Sequence, residues 1–577
     1  MGVVRCAVAA AISVMYGATA TLTQTQTNGA STLGTLLSPI LSFFLGDSSN
    51  QLSHGYPWGS LTDCCNNPYA EYPRTGVVRH YDFTVSRGVI APDGYQRDVL
   101  LVNGAFPGPL IEANWGDTIV VDVHNDITNP EEGTSIHWHG FLHKETPWED
   151  GAPGVTQCPI PPRSSYRYEF VASLYGSAWY HAHYSGQYAG GIVGPIVIHG
   201  PTQAKYDIDL GPVMLSDWHH REYFDIIEEM LAPNASAMVF SDNNLINGKM
   251  NFDCSKVAPG DDTPCTSNAG ISRFKFRTGK THRLRLINSG ADGIQRFSID
   301  EHIFTVIAED FVPVEPYNTK VVTLGVGQRA DVLVTANAGR SNAMFWMRST
   351  LTCAPANQPI AVAAVYYDRA DTNKIPTSQP WDLPNAVACA NDDLRKTEPL
   401  YPMALPEPTF THAMDIEQFK NESDVKLWKF AGVSMRANYN NPVLLLANDG
   451  NFSYPEEWNV IDYQGNTSIR IIVNNKTPVQ GPGAWDGTIV RPTNPTRRDV
   501  QIVRPYGHLV IQFDGHPGVW AFHCHVAWHA SGGFFSSLIV QSKWVAQMEI
   551  PRDVEGNCKA WDLWTKHHIV EQIDSGT

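Results

Sequence analysis

Basic residues are in short supply: 41 Lys and Arg stand against 58 Asp and Glu, a formal net charge of -17 at pH 7. Without a basic excess to neutralise phosphates, no nucleic-acid partner is expected. An acidic balance suits neutral or cationic small substrates, although solubility alone commonly accounts for it. Charged residues of either sign make up only 17% of the chain, beside 46 Gly and 39 Pro. That scarcity argues against a disordered or coiled-coil protein and for a loop-rich globular one. Long hydrophobic runs are missing as well, and the apolar stretch Cys6 to Tyr16 is too short and interrupted to span a bilayer. No membrane partner is therefore expected. With 577 residues the chain exceeds a single core, and two to four domains are expected.

The short apolar stretch reads instead as part of a secretory signal, residues 1–20, with Arg5 before it and Ala18-Thr19-Ala20 as the cleavage site. A secreted, extracellular protein follows. The sequons at Asn234, Asn421, Asn451, Asn466 and Asn475 agree with a glycoprotein. Of ten cysteines, Cys6 leaves with the signal and Cys524 sits in a histidine motif, so eight remain for disulfide bonds in an oxidising compartment. Cys254 and Cys265 flank a short polar loop they could close; Cys64 and Cys65 have no assigned partners.

Residues 21–70 read as a loose N-terminal extension. From about Tyr72, short alternating runs such as Thr118-Ile-Val-Val-Asp-Val-His124 are separated by Gly, Pro and Asn turns, the pattern of antiparallel sandwiches or barrels. Helical periodicity is scarce, with one short helix expected at Phe224 to Met230. The chain also repeats itself. Trp179-Tyr-His-Ala-His183 followed by Gly190 to Ile198 echoes Trp520-Ala-Phe-His-Cys-His525 followed by Gly532 to Val540. A middle copy, Phe345 to Ser349 followed by Ile360 to Tyr366, carries no histidine. The expectation is an all-β protein of three units at 71–200, 201–370 and 409–577, with a linker at 371–408 and the middle unit as a spacer.

Three of the histidine groups carry chemistry: His137-Trp-His139, His181-Ala-His183, and His523-Cys-His525 with His529. Residues i and i+2 of a strand share a face, so each pair can aim two imidazoles at one site. A single pair is more often incidental than not; three pairs, two of them in the repeated strand, point to metal. Cys524 would face away from its two neighbours, giving a thiolate with His529 as a second donor, the blue-copper pattern. Its alternative is a disulfide or a buried small residue.

With these motifs, and with Val102-Asn-Gly-Ala-Phe-Pro-Gly-Pro109, Asn114-Trp-Gly-Asp117, Thr278 to Ile287 and Pro495-Thr-Arg-Arg-Asp499, the sequence resembles the multicopper oxidases, in particular the laccases of ascomycete fungi. The resemblance runs from about residue 72 to the C-terminus. It implies three cupredoxin-like domains, four coppers, and phenols and dioxygen as substrates of a monomer. Phenols would lose single electrons at a type 1 copper, and dioxygen would be reduced to water at a trinuclear type 2/type 3 cluster. Matched motif by motif, Cys524 and His529 would hold the type 1 copper, with Phe534 at its axial position, where it cannot ligate. His137 would bind the type 2 copper, and His139, His181, His183, His523 and His525 the type 3 pair. Asp117 would assist proton delivery, and an acid within Asp217 to Asp225, taken as Asp225, would line the phenol pocket. The resemblance also guides the pairings Cys353–Cys389 and Cys158–Cys558. The ending Asp574-Ser-Gly-Thr577 resembles the tail that plugs the solvent channel in ascomycete laccases, with a frayed end as the alternative.

One motif of the family, His-Pro-x-His-Leu-His-Gly-His, is missing. No histidine lies between His412 and His508, and the strand Ile469 to Val473 leads through Asn474 to Gln480 directly into Gly481. The loss resembles an excision of about two strands. It removes three of the family's eleven copper-binding side chains, so incomplete copper binding is expected. His508 and His516 are the nearest substitutes. A mis-spliced message and a truly copper-deficient protein both account for the gap. The function implied is a laccase-type phenol oxidase; the alternatives are a copper-deficient binding module and a dedicated phenol-coupling oxidase of secondary metabolism.

Overall fold

Strand formation follows from alternation. In Thr118–Asp126, Ile119, Val121 and Val123 are buried while Thr118, Asp122 and His124 keep contact with water, as a strand with one wet face requires. The computed structural model describes Trp58 and residues 67–235, 238–382, 389–477 and 483–577. The signal segment, Cys6, Cys64, Cys65, most of the 21–70 extension and the Gln480–Gly481 junction lie outside the described residues. Alternating runs of this kind make the protein mostly β, in three successive units.

The first unit comprises β1 (Val78–Ile90), β2 (Arg97–Val102), β3 (Ile111–Asn114), β4 (Thr118–Asp126), β5 (Ile136–His139), β6 (Ser165–Val171), β7 (Gly176–Ala182) and β8 (Val193–His199). Two four-stranded sheets result, ordered β2-β1-β4-β6 and β3-β8-β7-β5. β1 runs parallel to β4 and β3 parallel to β8.

The middle unit contains β9 (Ile208–Trp218), α1 (Tyr223–Met230), β10 (Asn243–Ile246), β11 (Arg273–Phe276), β12 (Thr281–Asn288), β13 (Ile294–Ile299) and β14 (Phe304–Glu309). It continues with β15 (Val312–Thr319), β16 (Val322–Leu324), β17 (Arg329–Thr335), β18 (Met344–Thr352) and β19 (Ile360–Tyr367). Its sheets run β10-β9-β12-β17-β14-β15 and β11-β19-β18-β13-β16.

The third unit contains β20 (Phe410–Lys420), β21 (Lys426–Phe430), α2 (Val443–Asn448), β22 (Val460–Asp462), β23 (Ser468–Asn475) and β24 (His508–Asp514). After them come β25 (Gly518–His523), α3 (Ala527–Ser531), β26 (Phe535–Val540), α4 (Ser542–Val545) and α5 (Arg552–Thr565).

The third unit repeats the first strand for strand, up to a point. Its sheet β21-β20-β23-β24 has the pairing pattern of β2-β1-β4-β6, including the parallel central pair. Its sheet β22-β26-β25 matches β3-β8-β7, again with a parallel first pair. There it stops. In the first unit β5 flanks β7 with His137 opposite His181; among the described residues no strand flanks the same edge of β25. Burial registers the difference. β7 is buried throughout, whereas Trp520 to His523 of β25 and Leu509 to Phe513 of β24 are only partly covered.

Among the described residues, three disulfides join Cys158–Cys558, Cys254–Cys265 and Cys353–Cys389, in agreement with the expected pairs. The helix expected at Phe224 to Met230 begins one residue earlier. α5, with 14 residues, is the longest of the helices that the sequence reading overlooked. Its signals were present: Pro551 before the first turn, Asp553 and Glu555 within it, and Val554, Asn557 and Trp561 buried at helical spacing. Among the described residues no helix is long and apolar enough to cross a membrane. The first unit's core continues into Ala527 and Trp528 of the third unit and Ile226 and Ile227 of α1, so the units share apolar contacts rather than hanging from linkers.

Candidate metal centre

The pleat decides which way each histidine faces. In β5, Trp138 turns into the first unit's core against Tyr168, Phe170 and Tyr180, so His137 and His139 share the opposite face. In β7, Tyr180 packs on Phe83 and Trp138, leaving Trp179 and His181 on one side with His183 just beyond. Ring centroids then lie 5.2 Å apart for His137–His181, 5.7 Å for His139–His181 and 5.6 Å for His137–His183.

The third unit meets this group through the end of β25. His523 Nε2 lies 3.3 Å from His183 Nε2, and His525 Nε2 lies 3.1 Å from His139 Nδ1. Cys524 faces the other way, its Sγ 3.4 Å from Nδ1 of His529 on α3. Six imidazoles thus converge on one side of a tripeptide whose thiol and partner imidazole form a second locus. The structure brings the eight candidate donors close to one another: His137, His139, His181, His183, His523 and His525 together, Cys524 and His529 beside them.

Hydrogen bonds orient the rings. A carbonyl only accepts, so Nδ1 of His137 donates to Asp150 O (2.7 Å), that of His181 to Ala182 O (2.9 Å) and that of His523 to Cys524 O (2.9 Å). Each leaves its Nε2 as a lone pair. His139 is reversed: its Nε2 donates to Asp499 Oδ1 at 3.2 Å, which directs the Nδ1 lone pair inward. Such partners fix tautomer and aim. Burial, reinforced by neighbouring imidazoles, holds His139, His181, His183 and His525 well below the ordinary histidine range, and burial brings His523 and His529 to about 4. His137 moves upward, because Asp150 outweighs its burial. A cluster of mostly neutral imidazoles with inward lone pairs is a donor set for a cation.

The middle unit does more than space the others, contrary to the sequence reading. Arg329 of β17 grips Asp499 with two bonds, Nη1 to Oδ1 at 2.5 Å and Nη2 to Oδ2 at 2.7 Å, and donates from Nε to Ser177 O. Thus a first-unit histidine is held by a third-unit aspartate that a middle-unit arginine clamps. Two glycines make room. Gly140, at φ +86°, would put a Cβ 2.5 Å from Arg329 Nη2, and Gly327, at φ +84°, would put one 3.0 Å from the His525 ring.

The acids are arranged differently from expectation. Asp117 is committed to Arg79 Nε (2.8 Å), Thr75 Oγ1 (2.6 Å) and the Asn114 amide (3.0 Å), a buried support for the β3–β4 turn. Besides Asp499, the carboxylate beside the imidazoles is Asp150, 3.4 Å from His137 Nδ1. Burial pushes its pKa up, but His137, His143 and His183 prevail and hold it at about 2. Sequence reasoning missed it, although Glu149-Asp150-Gly151 follows the His137 motif closely. Asp225 is exposed in the first turn of α1, whose inner face is Tyr223, Ile226 and Ile227. Asp217 accepts from the amides of Ala291, Asp292 and Gly293. The acid near Cys524 is Asp292, part-buried and raised to about 8 by burial and by Asp217.

Phe534 is buried against Trp428 and Phe430, at 5.6 and 5.0 Å between ring centroids, and its carbonyl accepts from the Cys524 amide. The C-terminus is not frayed. Asp574, Ser575 and Thr577 are buried; Ser185, two residues past His183, donates its hydroxyl to Asp574 and its amide to Gly576 O. His516 lies in the β24–β25 turn and His508 at the start of β24, bonded to Gly483 O. Neither approaches Cys524 Sγ within hydrogen-bond distance.

The donors fit a metal at one locus and fall short at the other. Six inward imidazoles suit copper or zinc, but a thiol with a single imidazole is below the three strong donors of a blue-copper site. Burial also pushes the Cys524 thiol up to about 12, so the thiolate that a metal needs is not available in advance.

Family models described as multicopper oxidase match residues 84–203, 209–370 and 422–543. A dihydrogeodin oxidase from Aspergillus terreus is 35% identical, over 87% of this chain and 89% of its own length. Laccase-2 from Botryotinia fuckeliana is 34% identical, over 90% and 92%. The crystal structure of the laccase from Botrytis aclada superposes with a TM-score of 0.80 at 32% identity, covering 89% of this chain and 97% of that one. The fold and site define a copper-dependent class of oxidoreductase, and the chain belongs to the multicopper oxidase family.

Proposed function

We propose that this is a laccase-type phenol:dioxygen oxidoreductase whose copper array is incomplete in the chain as written. Bound copper would supply one-electron oxidation of a phenol at the Cys524–His529 locus and reduction of dioxygen at the imidazole cluster. The chain's own part is electronic and protic positioning. Cys524 is continuous, through two peptide units, with His523 and His525; Asp150 stands where a proton could be held against His137. Asp292, rather than Asp225, is the acid suited to meet a phenolic hydroxyl. Three disulfides support the expected secretion, because such bonds persist in oxidising compartments. We place the units at 71–200, 201–370 and 409–577, as the sequence suggests.

A single observation carries the incompleteness: among the described residues the third unit's second sheet ends at β25, where the first unit adds the strand that bears His137 and His139. The missing strand corresponds to the missing motif. Purified protein should not oxidise a phenolic dye, and insertion of a His-Pro-x-His-Leu-His-Gly-His strand segment between Gln480 and Gly481 should restore oxidation. Turnover by the unaltered chain would refute the proposal. The likeness to a dihydrogeodin oxidase favours, as a second reading, a dedicated oxidase of one defined phenol once the segment is present; a substrate panel with the restored chain distinguishes the two.

A further inference from the structure

A cavity of about 320 Å³ opens on the third unit, and none of the eight candidate donors lines it. Its walls are the loop before α2, the turn at Glu457 and Trp458, α5, and the tail at Val570 and Gln572. Three aromatic rings contribute: Tyr439 and Trp561 are buried, and Trp458 is half-buried beside Tyr454. Tyr439 and Trp561 meet edge to face at 6.0 Å, a fixed wall. The six-membered end of the Trp561 indole abuts Gly133, where an added Cβ would lie 2.7 Å from Cζ3. Its Nε1 is at the other end of the ring, buried and without a partner, a cost that an acceptor entering the cavity would relieve. The polar lining carries one charge of each sign, Arg436 and Glu457, with the amides of Asn438 and Asn440. Arg436 already donates to the carbonyls of Gln572 and Asp574, which holds the tail against this wall.

An anionic ligand would meet Glu457 and a cationic one Arg436, so either net charge is opposed by one wall. A neutral ligand rich in hydroxyls meets donors and acceptors without that penalty, and the ring faces favour flat C–H surfaces. A sugar ring combines both properties. We propose that this cavity binds a neutral saccharide, one pyranose ring stacked on Trp458 with its hydroxyls toward Arg436, Glu457 and the Trp561 N–H. The sequon at Asn451 lies on the same loop: Tyr454 Oη donates to Asn451 O at 2.9 Å, and the Tyr454 ring is 6.2 Å from that of Trp458. The ring can therefore come from the chain's own glycan at Asn451 or from free carbohydrate.

The test is a titration of the purified full chain carrying Asn451→Gln with methyl β-D-glucopyranoside, read by tryptophan fluorescence and by saturation transfer to the sugar's ring protons. Saturable binding is expected. Adding Trp458→Ala should weaken it roughly tenfold, the scale of one lost ring contact, whereas Trp458→Tyr, which keeps a ring, should retain most of it. Trp544→Ala should change nothing, since Trp544 is 63% exposed and lies outside the cavity. Glucuronate, the same ring with a carboxylate, should bind more weakly. Weaker binding to chain glycosylated at Asn451 than to Asn451→Gln identifies the chain's own glycan as the occupant; equal binding identifies free carbohydrate. No saturation in either form, equal weakening by Trp544→Ala, or tighter binding of glucuronate would overturn the proposal, whatever the copper content of the chain.

Discussion

Cys524 and His529 have only each other, whereas each imidazole of the neighbouring cluster has several. That contrast follows from where the donors sit in the sequence: the pairs on β5, β7 and β25 were legible from alternation alone. The supporting residues were not. Asp150, Asp499 and Arg329 lie in loops and in another unit, and only folding brings them to His137 and His139. Asp117 was misplaced for the same reason, since a short motif does not reveal that Arg79 and Thr75 take its carboxylate. The buried imidazoles also set a pH response. His143, His523 and His529 are held at about 4 by burial, so between roughly 6.5 and 4 the unfolded chain binds more protons than the folded one. Metal-free protein should therefore lose stability as pH falls through that window. Glu149 and Asp292, raised to about 8, act oppositely, but the depressed imidazoles outnumber them. Urea midpoints at pH 7 and pH 5 check this, and His143→Gln should flatten the slope by one proton. His143 is a suitable choice because it is buried with both ring nitrogens unpartnered and is not among the donors.

At the scale of elements, β25 is the counterpart of β7 with, among the described residues, one neighbour too few. Its outer edge and the half-covered side chains Leu509, Ile511, Phe513, Trp520 and Phe522 form the margin of the third unit's core. Full burial of each such side chain is worth roughly 1.5–3 kcal/mol, so even partial exposure of five makes this the weakest part of the sandwich. Amides of β25 should exchange with deuterium faster than those of β7, and the restored segment should slow them. Equal protection of both strands in the unaltered chain would contradict this. The strands themselves were foreseeable, being short alternating runs between turns. The absent strand was foreseeable too, from the missing histidines, but its structural cost was not, because it depends on what β25 would have paired with. α5 was overlooked because its apolar positions are few, and Trp561 gains its meaning only against the first unit.

For the whole molecule, the cluster exists only where the first and third units meet. Cys158–Cys558 fastens that junction, joining the loop after β5 to α5 across 400 residues of sequence. The Asn557 side chain adds a bond to Cys158 O at 2.7 Å. Removing the bridge with Cys158→Ala and Cys558→Ala should cost about 2–4 kcal/mol, visible as a lower unfolding midpoint. Local metal affinity should fall with it, because His525 would be less firmly held against His139. A variant lacking Cys254–Cys265, which closes only an exposed loop, should lose much less. Three units and their order could be read from the internal repeat. That the middle unit helps hold the site through Arg329 could not, since the repeat there carries no histidine to suggest it.

The central claim is that converging imidazoles survive in this chain while the sulfur locus lacks a donor. The visible absorption spectrum of the unaltered protein after Cu²⁺ loading and removal of excess metal tests it most directly. Imidazole-bound copper with only weak, broad absorption is the predicted result; an intense blue copper–thiolate band from Cys524 would contradict it.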